Sequence, residues 1–349
     1  MKLRFVVYEE EYPKGIYPFS LAKPSSHLIY KYKPLIAWIK EILGEPEGFL
    51  APEALAKAYD LKKPKRDYDL VINSRVFPEK LTEASDLLKD GESLWEEGTL
   101  VAAKGSLEGS YKKTVEGFLI KGPWQLLDSL KEPPFKKTKV LGEVGKLVDI
   151  NDSNGPVIIE KGATVDSLTV IYGPAYVSTG SVISYAKVSS SYIGKNCRIG
   201  GEVERSVIED YANKVHYGFV GDSYVGSHSN LGAGTTVSNL KNTYGTVRVF
   251  DGERRADTRK VKVGAFIGDF VRTAINTSIM SGKTVGPFSH VMGTVKEDVP
   301  PFTFYDRPMD VDKLIQQLER YMSRKGLTLS EEFKGLIKES YKLIYGSRL

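Results

Sequence analysis

Four histidines, His27, His216, His228 and His290, are the only imidazoles in the 349-residue chain. Imidazole titrates near neutral pH, so each is a candidate proton carrier or metal ligand. A three-histidine zinc site needs a close pair and a third ligand a short distance away. The nearest pair here, His216 and His228, is twelve residues apart, which argues against zinc chemistry and leaves no metal site to assign. Cys-x-x-Cys, the Gly-rich phosphate loop and Gly-x-Ser-x-Gly are absent as well. A lone histidine is usually satisfied by its neighbours and does nothing further. His216 has informative company. It lies in Val215-His216-Tyr217-Gly218-Phe219-Val220-Gly221-Asp222, and Asn230-Leu231-Gly232-Ala233-Gly234 and Asn239 follow. The spacing by itself leaves both readings of His216 open.

The element that must position them repeats every six residues. Ile159, Val165, Ile171, Val177 and Ile183 stand at that spacing, and the pattern resumes at Ile193, Ile199, Val225, Leu231 and Val237. After an interruption it returns at Ile267, Thr273, Ile279, Val285 and Val291. A helix repeats at 3.6 residues and a flat strand at 2, so neither explains a period of six. A β-solenoid does: each six residues make one side of a coil, and the aliphatic residue stacks inward on its copies. Between Asn239 and Val263 the repeat breaks. Val247 to Phe250, Asp251-Gly252 and a second extended run read as a protruding hairpin. Its cations Arg254, Arg255, Arg259 and Lys260 are either a clamp for phosphates from a neighbouring chain or a solvated tip.

Composition bounds the rest. With 41% hydrophobic and 27% charged residues the chain reads as an ordinary soluble protein. The net charge of +5 is spread along the sequence, which argues against a nucleic-acid partner and suits phosphorylated substrates. One cysteine, Cys197, points to a reducing cytoplasm, and no apolar run approaches a membrane span. Residues 1–140 alternate strand and helix patterns and read as an α/β domain. Residues 141–154 read as a linker, 155–303 as the coil, and 304–349 as helices capping its last rung.

The window around His216 resembles the acetyltransferase domain of the bifunctional GlmU family, over roughly residues 155 to 310. The resemblance implies a left-handed parallel β-helix that assembles into homotrimers and transfers acetyl from acetyl-CoA to an amino sugar phosphate. Carried over by motif, His216 matches the general base, able to take a proton from an attacking amine. Asn230 and Asn239 match contacts to the acceptor sugar. Ala233 matches the position facing the thioester of acetyl-CoA, and Arg307, in Phe304-Tyr305-Asp306-Arg307-Pro308, matches an arginine on the coenzyme phosphates. The pattern also departs from the family. Glu204, with Arg205 beside it, stands where a basic residue would grip the sugar phosphate, and Phe219 replaces a tyrosine.

Residues 1 to about 120 resemble a divergent sugar nucleotidyltransferase domain fused to such coils, through Lys23-Pro24 and Asn73-Ser74-Arg75-Val76-Phe77-Pro78. That resemblance implies phosphate contacts at Lys23 and Arg75 and nucleotidyl transfer from a nucleoside triphosphate. Asp67 and Asp69 are the acids that could hold Mg²⁺ there, although acidic residues ahead of a strand are ordinary. Arg75 could equally hold a structural carboxylate. The alternatives are a nucleotidyltransferase that uses the coil as scaffold, and a non-catalytic protein that senses sugar nucleotides.

Overall fold

The computed structural model describes residues 3–12, 15–105 and 110–346. Its N-terminal part is a six-stranded mixed sheet. β1 (Phe5–Tyr8), β2 (Gly48–Leu50) and β3 (Leu70–Asn73) run parallel, with α1 (Leu35–Leu43) and α2 (Glu53–Ala58) in the connections. β4 (Glu92–Glu96), β5 (Thr99–Lys104) and β6 (Tyr111–Thr114) complete the order β2-β1-β3-β5-β4-β6. Val6, Val7, Val71 and Ile72 point to opposite faces and are all buried, so the parallel centre is covered on both sides.

The rest of the chain winds into the expected left-handed parallel β-helix, a prism with three strand faces. The first face is an eight-stranded parallel sheet from Lys139–Val140 to Thr284–Val285. Ile159, Val165, Ile171, Val177 and Ile183 are fully buried in the axial core. Burying each is worth about 1.5–3 kcal/mol, and truncating one to alanine costs about 2–5 kcal/mol because the stack cannot collapse around a gap.

One expectation is corrected here. Residues 141–154 are not a linker but most of the first coil: Glu143–Val144 pairs with Thr164–Val165, and Asp149–Asn151 with Val170–Tyr172. An end coil has only one neighbour to bury it, so a charged, glycine-containing sequence is tolerated there.

The hairpin forms as expected, from Arg248–Phe250 and Arg255–Asp257. It folds back on its own N-terminal domain. Lys260 is ion-paired with Asp128, and the Phe250 ring meets Tyr17 edge-on at 5.3 Å. Outward residues of the first face, Tyr192, Val207, Tyr224 and Phe266, share one apolar cluster with Ile16, Phe19 and Leu28.

Two amphipathic helices follow the coil, α3 (Val311–Arg324) and α4 (Glu331–Tyr345). Asp310 caps α3 and Ser330 caps α4, each accepting from backbone N–H groups of the first turn. The helices cover the flank of the final coils. Phe270, Phe288 and Phe302 stack along one corner, and Leu314, Leu318 and Ile337 pack over them. α2 packs on α4, tying the N-terminal domain to the tail. Among the described residues no helix is long and apolar enough to cross a membrane.

Candidate functional site

The second face of the coil carries Arg198, Asn213, Asn230, Arg272 and His290 in register on its outside. Their neighbours Ile199, Lys214, Leu231, Thr273 and Val291 point into the core. His216 lies just beyond, at the corner between the second and third faces. That corner turns through a left-handed residue on each coil, which is why glycine recurs there: Gly218 at φ +128° and Gly234 at φ +74°. A side chain at Gly218 would collide with the Thr235 carbonyl.

The His216 ring is exposed and has no side-chain hydrogen-bond partner among the described residues. The backbone behind it is tightly held. Lys214 occupies an aliphatic slot in the core and is 2% exposed. Its Nζ donates to the carbonyls of Gly200 at 2.7 Å, Gly218 at 3.0 Å and His216 at 3.2 Å. Burial lowers its pKa to about 8, with Glu202 opposing the shift.

One coil further on, Thr273 Oγ1 lies 2.6 Å from Thr235 Oγ1 and accepts from the Gly232 N–H at 2.9 Å, fixing the Gly232-Ala233-Gly234 turn. Asn276 N–H donates to the Ala233 carbonyl at 2.7 Å. The Ala233 N–H has no recorded partner among the described residues, so it is free to donate to an oxyanion.

The other expected residues are distributed over three places. Asn230 sits on the second face and accepts from Asn213 Nδ2 at 2.7 Å. Glu204, Arg205 and Asn239 gather at the opposite corner, around Asp222. Arg205 Nε and Nη2 donate to the Asp222 carboxylate at 2.7 and 2.8 Å, and Asn239 Nδ2 donates to it at 2.6 Å. Arg205 also pairs with Glu204. This corner borders a cavity of about 560 Å³, facing Trp124, Lys260 and Lys262. Arg307 is exposed on the terminal hairpin, 5.9 Å from the Phe304 ring centroid, without a carboxylate partner among the described residues.

His216 and Asn239 therefore stand at opposite ends of the third face. Six extended residues from His216 to Asp222 span up to about 20 Å, so one chain does not bring the two corners onto one small ligand.

The N-terminal candidates are engaged within the fold. Lys23 is buried, paired with Glu209 and with Asp269 at 2.9 Å, and donates to Ser227 Oγ at 3.2 Å. It joins the N-terminal domain to the coil and offers no open phosphate site. Arg75 pairs with Glu10 and donates to the Ile120 carbonyl at 3.0 Å, the structural-carboxylate reading of that residue. Asp69 accepts from Arg4 Nη2 at 2.8 Å and precedes β3, whereas Arg75 follows it, so the two sit at opposite ends of that strand. A cavity of about 960 Å³ lies between this sheet and the hairpin, with Arg75, Lys121, Arg248 and Arg254 on its wall beside Glu96, Glu97 and Asp251.

The motif window contains Asp222 without assigning it a role, and does not reach Lys214 or Arg272. Lys214 alone left a trace: it sits six residues after Ile208 and six before Val220, in the aliphatic register.

No family model matches the chain. It is 36% identical over 178 residues to a bifunctional sugar-1-phosphate nucleotidylyltransferase/acetyltransferase of Sulfurisphaera tokodaii, covering 48% of this chain and 43% of that protein. It is 29% identical over 255 residues to the bifunctional protein GlmU of Methanococcus aeolicus, covering 66% of this chain and 57% of that protein. The chain thus spans about half the length of the curated relatives it matches. Among solved structures, the UDP-N-acetylglucosamine acyltransferase of Francisella novicida aligns with 60% of this chain and 91% of its own at 17% identity. Its TM-score is 0.31, too low for that likeness to carry weight. The names of the curated relatives are those of the family that the His216 motif resembles.

Proposed function

We propose that the coil transfers an acetyl group from acetyl-CoA to the amine of an amino sugar phosphate, of the glucosamine-1-phosphate class. What carries the reading is the pairing of His216, exposed and with its backbone clamped, with the free Ala233 N–H at the same corner of the next coil. The thioester supplies an activated acyl carbon with a good leaving group. His216 takes a proton from the attacking amine as the C–N bond forms, and returns it to the departing sulfur as the C–S bond breaks. The Ala233 N–H stabilises the oxyanion in between. Arg307 is free to meet the coenzyme phosphates.

The site is completed by a second copy of the chain in a homotrimer. Supporting this, the His216 corner is lined along the coil by exposed apolar side chains: Leu147, Leu168, Tyr185, Tyr217, Ile275 and Met292. A continuous apolar stripe is an interaction surface. A neighbour packed on it would bring its Asn239 corner to His216.

A second reading, nucleotidyl transfer from a nucleoside triphosphate with Mg²⁺ in the N-terminal domain, draws on the cavity against its sheet, whose wall carries both cations and carboxylates. Lys23 would have no part in it.

The deciding experiment follows coenzyme A thiol release from acetyl-CoA with glucosamine-1-phosphate, for wild type and His216→Ala. Sugar-dependent release that falls by about 10²–10⁴ in the variant is expected. If no amino sugar phosphate elicits release, the reading fails, and pyrophosphate release from nucleoside triphosphates becomes the assay.

A further inference from the structure

On the second face two outward arginines share one ladder, and no acid is ion-paired with either among the described residues. Arg198 and Arg272 lie on either side of Asn213 and Asn230 in the same ladder. The tail adds a third cation, because α3 lays Tyr321 over this face. The Arg272 guanidinium carbon is 4.4 Å from the Tyr321 ring centroid and Lys325 Nζ is 6.0 Å from it. None of the three has an ion-pair partner among the described residues, unlike Lys334 close by on α4, which has Glu319 and Glu331.

The surroundings sharpen the anomaly. Arg272 is half-buried, and burial lowers its pKa. Lys325 is lowered by burial first, then by Arg198 and Arg272. The groups that oppose these shifts are Tyr321 and Cys197, and burial keeps both neutral by raising their pKa values. His290, the next rung after Arg272, is lowered to about 4 and adds no negative charge. Cations drawn together and partly desolvated without a counter-ion destabilise a fold unless something else requires them. Other buried cations have their donors met, Lys23 by Glu209 and Asp269 and Lys214 by three carbonyls.

We propose that Arg198, Arg272 and Lys325 form a phosphate-binding site on the second face beside Asn230, with Lys325 supplied by the C-terminal tail. Guanidinium forks and an ammonium suit a phosphate monoester or a diphosphate. The site would restore, from a different direction, the phosphate grip that Glu204 removes at the far corner. The phosphate belongs either to the acceptor sugar or to the coenzyme; that identity, and not the site itself, rests on the acetyl-transfer reading.

The test is calorimetric titration of the full chain with pyrophosphate, 3′,5′-ADP and glucosamine-1-phosphate. The proteins are wild type, Arg272→Gln, Lys325→Gln and, as a charge control on an exposed cation remote from the face, Lys161→Gln. Binding of at least one ligand should weaken about ten- to hundredfold in both second-face variants and stay unchanged in Lys161→Gln. Loss confined to 3′,5′-ADP assigns the site to the coenzyme; loss confined to the sugar phosphate assigns it to the acceptor. Lys325 follows the last turn of α3 and is partly exposed, so its variant reports even if Arg272→Gln does not fold. No binding to wild type, or equal affinity in wild type and Lys325→Gln, overturns the proposal. Because no turnover is involved, an inactive coil that binds phosphate would sink the acetyl-transfer reading alone.

Discussion

The ammonium nitrogen of Lys214 lies 3.2 Å from the carbonyl oxygen of His216, on the inner side of the coil wall. The side chain that would act on a substrate points out, and the peptide carrying it is tethered from within. Three carbonyls satisfy all three N–H donors, so a lysine occupies a slot otherwise filled by Ile199 or Leu231.

Lys214→Met should fill the slot while releasing the tether. The expected result is a loss of kcat of about tenfold or more with KM for acetyl-CoA little changed, since a misplaced base affects the chemical step. Stability has its own signature. The folded pKa of about 8 lies below the unfolded value of 10.5, so the unfolded chain holds the extra proton between them. Stability should therefore rise with pH from about 8 to 10.5, by roughly 3 kcal/mol at most. Denaturant titrations at several pH values should show this slope in wild type and not in Lys214→Met.

Asp222→Ala removes the acceptor of two Arg205 bonds and one Asn239 bond at once. The cluster is partly exposed, so the loss should be about 2 kcal/mol rather than the larger figure for a fully buried pair. Asn239 is freed to rotate, and KM for the acceptor should rise more than kcat falls. Unchanged steady-state constants would separate Asn239 from the acceptor.

Tyr185→Glu puts a carboxylate in the apolar stripe at a side chain 72% exposed in the isolated chain. The melting temperature of the coil should hardly move, while light scattering should show the mass falling from three copies to one and acetyl transfer should disappear. Retention of the assembled mass would place the contact between copies elsewhere.

Lys23→Met leaves Glu209 and Asp269 buried without their cation. A loss of about 3–5 kcal/mol is expected, with earlier proteolysis of the N-terminal domain than of the coil. Limited proteolysis with mass spectrometry would show whether the domain lets go first.

The coil was legible because its physics is one-dimensional: one inward aliphatic residue per side, repeated, marks the fold without long-range information. Ile159 to Ile183 are buried as that rule requires. The roles of Lys23 and Arg75 were not legible in the same way. Lys23 meets Glu209 across 186 positions, and a local Lys-Pro motif cannot report such a partner. Arg272 and Lys325 become neighbours only when the tail folds back over the coil. Residues 141–154 looked like a linker because an end coil carries little of the aliphatic signal that identifies the middle ones.

The outward ladder on the second face has a consequence for how such a molecule changes its specificity. Arg198, Asn213, Asn230, Arg272 and His290 stand on successive rungs about 4.8 Å apart. Each can be exchanged without disturbing the inward stack that sets the rung. The surface behaves as a graduated scale: a charge can be moved by whole divisions and not by fractions. A phosphate held on this face would be met at a different reach by shifting a cation one mark up or down, while His216 and its tether stay where they are.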